Sequence, residues 1–302
     1  MASIALHDSD QTGFPNYALM KISAWHKAQG DSVEWFNPLF TYDRVYSSKV
    51  FTFTPEDPYL PPDTVKGGTG YGLYDALPEE IDRMFPDYSI YPDCDFATGF
   101  ITRGCIRQCP WCCVSKKEGL IHPYREWTEL VRPGIRKMVF MDNNVLASPF
   151  GISQMESMVG KKVLVDFNQG LDARLMTPEI VDILKRLKWC AQIRIAADSD
   201  EVLDVCLEKI ALMKSKGIKP RNIFVFVLMK DIPSAERRVM ALRETGVYPF
   251  VQPYRDFENK IEPTLEQKRF ARWVNRREIF KTVPTFEEFN AQYRSMHRKG
   301  LV

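Results

Sequence analysis

The chain has 302 residues, 45% of them hydrophobic and 26% charged, with 41 basic and 39 acidic side chains and a formal net charge of +2. That is the composition of an ordinary globular protein of one full domain plus a smaller partner, and so even a charge balance argues neither for nor against nucleic acid. Seven cysteines are too few for a disulfide scaffold, and no apolar run approaches the roughly 20 residues of a membrane span. The opening MASIALHDSD has no basic stretch followed by an apolar block, so a cytoplasmic chain without membrane association is expected.

In chain order, Ser3–Leu6 is a candidate strand. Asn16–Gln29 is a candidate helix with Leu19, Ile22, Trp25 and His26 on one side and Gly30 as its stop. Val33–Phe36 and Val45–Phe53 are further candidate strands, followed by a surface loop over Thr54–Pro62 with four prolines and by Lys66-Gly67-Gly68-Thr69-Gly70-Tyr71. Residues 1–92 thus read as a cut-down Rossmann-like α/β domain, with Pro78–Pro92 leading into the next.

From residue 96 to 252 an apolar, β-branched run alternates with a helical segment. The runs are Phe96–Ile101, Lys137–Met141, Lys162–Phe167, Gln192–Ala197, Asn222–Leu228 and Val247–Gln252, each near-continuously apolar as buried parallel strands are. Thr177-Pro178-Glu179 marks a helix start, Ser199 is a second cap, and Gly217 and Gly246 are stops. Six strand–helix units in series predict a parallel sheet or open barrel over residues 93–262, with ligands at the carboxyl ends of the strands. Residues 263–302 form a helical extension, with helices over Thr264–Ile279 and Pro284–Arg298.

The chemistry is concentrated after the first of these strands, in Gly104-Cys105-Ile106-Arg107-Gln108-Cys109-Pro110-Trp111-Cys112-Cys113. Cys105, Cys109 and Cys112 can bind three corners of a cubane cluster and leave one iron open. A zinc site normally supplies two ligand pairs, and no second pair is near in sequence.

This C-x3-C-x-aromatic-C segment, with Trp111 in the aromatic place and Phe100-Ile101-Thr102-Arg103-Gly104 ahead of it, resembles the radical S-adenosylmethionine superfamily. The likeness is to members with a cobalamin-binding-like N-terminal domain. It implies a partial six-stranded parallel β/α barrel, one 4Fe–4S cluster, and S-adenosylmethionine bound to the open iron. It also implies an electron donor such as flavodoxin or ferredoxin, and a 5′-deoxyadenosyl radical that abstracts hydrogen from a substrate the sequence does not identify.

The polar strand ends supply the candidate cofactor contacts. Asp142, Asn143 and Asn144 stand where the superfamily places acceptors for the amino group of S-adenosylmethionine, in place of its Gly-Gly-Glu-like element; an Asx turn closing the strand is the alternative. Asn168, Gln169 and Asp172 are hydroxyl binders, and Arg174 either takes a carboxylate or pairs with Asp172 on the surface. Arg194, inside a strand, needs a cavity or a partner. Gln252 and Tyr254 end the last strand.

Only Cys94 precedes Thr98, so the second cluster of methylthiotransferases is not expected, and the superfamily pattern is complete without Cys113. The Asp-x-His-x-x-Gly signature of cobalamin binders is missing, since neither His7 nor His26 matches it. A cobalamin-dependent methyltransferase is therefore the second reading. A non-catalytic iron–sulfur or nucleic-acid-binding protein is the third. The latter draws on nine Lys/Arg interleaved with Phe270, Trp273, Phe280, Phe286, Phe289 and Tyr293 from Pro263 onward. At helical spacing these aromatics fit core packing better than base stacking.

Overall fold

The structure, a computed structural model, describes residues 1–256 and 261–298, with side chains to Tyr293. The chain forms two compact units, Met1–Gly99 and Phe100–Val302. The boundary falls seven residues beyond the expected one at residues 92/93, and the C-terminal helices belong to the second unit. Residues 299–302, the end of the expected extension, lie outside the described residues.

In the first unit, β1 (Ser3–Asp8), β2 (Ser32–Trp35), β3 (Arg44–Ser48) and β4 (Val65–Gly67) form a parallel sheet in the order β2-β1-β3-β4. Helix α1 (Tyr17–Ala28) joins β1 to β2, and the Asn16 side chain caps it by accepting from Leu19 N–H. Leu19 and Ile22 pack on Ile4, Leu6 and Tyr46, the apolar core that fixes this layer. His26 is a core histidine between Asp31, 2.9 Å from Nδ1, and the Tyr46 hydroxyl, 3.0 Å from Nε2. His7, next to last in β1, lies beside Ser47 at 2.9 Å and Asp57 at 3.4 Å. Lys21 reaches Asp82 in the short α2 (Glu79–Asp82) at 2.7 Å. The last strand of this unit is β5 (Ala97–Gly99), shorter than expected at both ends.

The second unit opens with an antiparallel pair, β6 (Thr102–Arg103) and β7 (His122–Pro123), whose connection carries the cysteines and α3 (Val114–Glu118). Five parallel strands follow at the expected places: β8 (Lys137–Phe140), β9 (Leu164–Phe167), β10 (Ile193–Ala196), β11 (Ile223–Met229) and β12 (Tyr248–Pro253). Helices α4 (Pro149–Ser157), α5 (Pro178–Arg186), α6 (Asp200–Ser215) and α7 (Ile232–Glu244) alternate with them. Ser148, Thr177 and Asp231 cap α4, α5 and α7 with side-chain oxygens.

Strands β8 and β9 pair in parallel, as do β10, β11 and β12. Between β9 and β10 there are two isolated bridges, Val165 to Trp189 and Leu171 to Ile195. The Asp166–Arg194 ion pair lies between them.

The chain closes with α8 (Leu265–Asn275), α9 (Arg277–Thr282) and α10 (Phe286–Arg298). Asn275 donates to Val251 C=O at 2.9 Å and accepts from Val251 N–H at 2.7 Å, so its amide completes the free edge of β12. Phe270, Trp273, Phe280, Phe286 and Phe289 are buried against one another. Core packing thus accounts for the interleaved aromatics. Among the described residues no helix is long and apolar enough to cross a membrane.

Candidate functional site

Because β8–β12 run parallel, the segments that follow them emerge on one edge of the second unit. This is the edge where α/β folds gather ligands, since side chains there are not consumed by the ladders.

The cysteine loop is shaped from its base. Gly104 has φ +82°, and a Cβ there would lie 2.3 Å from the Leu120 carbonyl oxygen, so only glycine fits the close approach of the two loop stems. Glu118, at the end of α3, draws the stems together. Its carboxylate accepts from Gly104 N–H at 3.0 Å and Asn143 Nδ2 at 2.8 Å, and pairs with Arg103 at 3.1 Å. Cys105 N–H donates to Gly119 C=O at 3.2 Å, and Cys112 N–H to Cys109 C=O at 3.0 Å.

Cys105 and Cys109 are half-buried, Cys112 and Cys113 exposed, and all four thiols are free. Among the described residues no three His, Cys, Asp or Glu side chains converge closely enough to hold a metal ion. The three cysteines of the motif nevertheless share one electrostatic neighbourhood. Burial pushes the Cys109 thiol up, Arg174 opposes that shift, and Cys105, Asp198 and Asp172 add to it. The Cys112 thiol is also pushed up: its side chain reaches solvent, but the surrounding loop partly desolvates the thiolate, and Cys113, Cys109 and Cys105 add to the shift.

The sulfur of Cys105 accepts from Arg107 N–H at 3.3 Å and from Asn144 Nδ2 at 3.4 Å. Asn144 Nδ2 also stands 3.4 Å from the Asp172 carboxylate. A carboxylate only accepts, so Asp172 fixes which end of the amide faces it. The other end, Asn144 Oδ1, is buried and has no partner among the described residues. A buried carbonyl oxygen left so costs about 1–3 kcal/mol, which a donor from a ligand would recover.

Asp172 is the centre of this network. Arg174 grips it with two bonds, at 2.7 and 3.0 Å, and Arg107 adds a third at 3.1 Å. Despite its burial these donors hold its carboxyl below the usual range. The Asp172 side chain is 8% exposed and Arg174 35%, so Arg174 makes the pair with Asp172 that was the alternative to a carboxylate contact, with its own guanidinium reaching the surface. Asp198, after β10, is mostly buried, accepts from Leu228 N–H at 3.1 Å, and is pushed up by burial. The buried Arg238 ties the ends of β10 and β11, donating to Ala197 C=O at 2.6 Å and Leu228 C=O at 2.9 Å.

Trp111, between Cys109 and Cys112, lies under the Lys230 ammonium, which is 4.3 Å from its ring centroid and 5.5 Å from that of Tyr254. The aromatic residue of the cysteine loop therefore meets the ends of β11 and β12 around one cation.

Two expected contacts have partners inside the fold. Asp142 is 2% exposed; its carboxylate accepts from Ile101 N–H at 3.1 Å and from Thr102 N–H and Oγ1 at 2.5 and 2.7 Å. It satisfies the backbone at the entry to β6, and burial raises its pKa to about 6. Arg194 meets Asp166 on β9. Asn143 supports the loop through Glu118. Asn168 donates its N–H to Phe140 C=O at 2.9 Å, while Gln169 and Gln252 are exposed at strand ends.

Glu118, Arg107 and Lys230 were not anticipated. Lys230 was legible as the first charged residue after Ile223–Met229, whereas Glu118 acts through contacts that sequence spacing does not indicate.

No protein-family model and no curated protein matches the chain.

Proposed function

We propose that the chain is a radical S-adenosylmethionine enzyme of the partial-barrel type, with one 4Fe–4S cluster held by Cys105, Cys109 and Cys112. The observation that carries this reading is Asn144. Its amide N–H group faces the Cys105 sulfur, and its buried oxygen has no partner among the described residues. Cluster sulfurs are tuned by N–H donors, and an amino group at the open iron needs an acceptor. When bound, the cluster supplies one electron that cleaves S-adenosylmethionine to methionine and a 5′-deoxyadenosyl radical.

The chain's own residues have separable tasks. Glu118 and Gly104 keep the loop stems closed. Asn144 presents an acceptor for an ammonium or amine. Asp172 orients Asn144, Arg107 and Arg174, and Arg174 retains N–H donors for a carboxylate. Trp111 and Tyr254 offer aromatic surface beside Lys230, whose ammonium suits an anionic group on cofactor or substrate.

The test is anaerobic reconstitution with iron and sulfide, followed by dithionite and S-adenosylmethionine, with 5′-deoxyadenosine quantified by mass spectrometry. Product from the parent, and none from the Cys105→Ala, Cys109→Ala, Cys112→Ala triple variant, is the expected outcome. A fully loaded cluster without product would reject the reading.

A further inference from the structure

We propose that the first unit carries a second binding site, for a small organic ammonium cation, independent of the cysteine loop. A cavity of about 560 Å³ opens at the carboxyl ends of β1 and β2. That volume is in the range of small-molecule sites, and the position is where parallel α/β sheets take ligands. Every residue lining it belongs to Met1–Gly99.

Its walls are aromatic. Trp35, Phe36, Tyr91 and Phe96 line it. Trp35 and Tyr91 meet at 5.3 Å and 70°, and His7 and Phe36 at 6.0 Å and 87°. The members of each pair meet edge to face, so the wall presents ring faces and ring edges at steep angles rather than a parallel slot. A flat heterocycle would be served better by parallel faces, a compact cation by rings at steep angles. Trp35 remains 40% exposed, high for so large an apolar ring.

The charge of the lining points the same way. Asp8 and Asp93 contribute carboxylates, and no Lys or Arg lines the cavity among the described residues. Tyr91 donates to Asp8 at 2.9 Å and so fixes that carboxylate, while burial pushes the His7 pKa down against the opposing pull of Asp57 and Asp8. Such a site repels phosphates and carboxylates and favours an alkylammonium group. Gln11, also on the lining, has φ +44°, the one left-handed non-glycine residue among those described. Strain of this kind collects at ligand sites.

The full chain is titrated by calorimetry with choline and with its neutral carbon isostere 3,3-dimethylbutan-1-ol, alongside Trp35→Ala and Asp8→Asn variants whose folding is checked by thermal unfolding. Choline is expected to bind with a Kd of about 1 mM or tighter, the isostere about 10-fold more weakly, and each variant about 10-fold more weakly than the parent. Trp35 is exposed, so its variant keeps the test valid if Asp8→Asn unfolds. No choline binding at about 10 mM, equal binding of the isostere, or parent-like binding by folded Trp35→Ala would each overturn the proposal.

Discussion

Asn144 Nδ2 lies 3.4 Å from the sulfur of Cys105, across 39 residues of sequence, and joins the end of β8 to the cysteine loop. Replacing Asn144 by Ala removes both the donor to sulfur and the buried acceptor. With the cluster loaded, the Kd for S-adenosylmethionine is expected to rise about 10-fold, the cost of one hydrogen bond of roughly 1.4 kcal/mol, as measured by anaerobic equilibrium dialysis. Unchanged affinity would remove Asn144 from the cofactor site.

The cysteines are expected to divide into three ligands and one bystander. Single Ala variants at Cys105, Cys109 or Cys112 should retain little iron after reconstitution. Cys113→Ala should keep about four irons per chain, as a three-cysteine 4Fe–4S site predicts. Iron and sulfide analysis with the visible spectrum decides this, and loss of iron from Cys113→Ala would force a new ligand assignment.

Gly104→Ala tests the base of the loop. The new Cβ would meet the Leu120 carbonyl at φ +82°, a strained position worth about 1–3 kcal/mol. The expected result is a lower unfolding midpoint and faster loss of the reconstituted cluster. Gly134→Ala is the control, because its Cβ would meet nothing within 4 Å although its φ is +78°. Equal effects would assign the whole cost to φ and none to the contact.

Asp87 gives a pH-dependent stability in the first unit. Lys27, Ser23 and Ser89 outweigh its burial and hold its pKa down to about 2. A folded pKa below the unfolded value of about 3.9 contributes stability that is complete above about pH 4 and is lost as pH falls through about 2. Allowing for solvent screening of the exposed Lys27, Asp87→Asn should cost about 1 kcal/mol at pH 7 and almost nothing at pH 2. Denaturant melts at the two pH values measure it, and a cost that does not depend on pH would contradict the assignment.

The strand–helix alternation was legible because each strand of the second unit is an apolar run bounded by turn or cap residues. The ends were set by contacts at a distance. Val45–Phe53 looks like one strand, yet β3 stops at Ser48, because the Asp10 carboxylate takes Val50 N–H at 2.6 Å and draws the chain out of the ladder. Thr264–Ile279 looks like one helix, yet it breaks at Arg276, where Asn275 is engaged by the edge of β12. The cysteine spacing was plain in the sequence. That Asp142 would serve Ile101 and Thr102 was not, since their partnership exists only once the entry to β6 is brought against the turn after β8.

The seam between β9 and β10 has a mechanical meaning. Two bridges and one ion pair are fewer links than a full ladder, so this is the line along which the parallel strands can part with the fewest bonds broken. A bulky guest at the strand ends is therefore expected to widen this seam before it opens the β8–β9 or β10–β12 ladders, as an expansion joint does. The Leu171 amide, bonded to Arg194 C=O at 2.7 Å across the joint, is the gauge of that opening in hydrogen exchange.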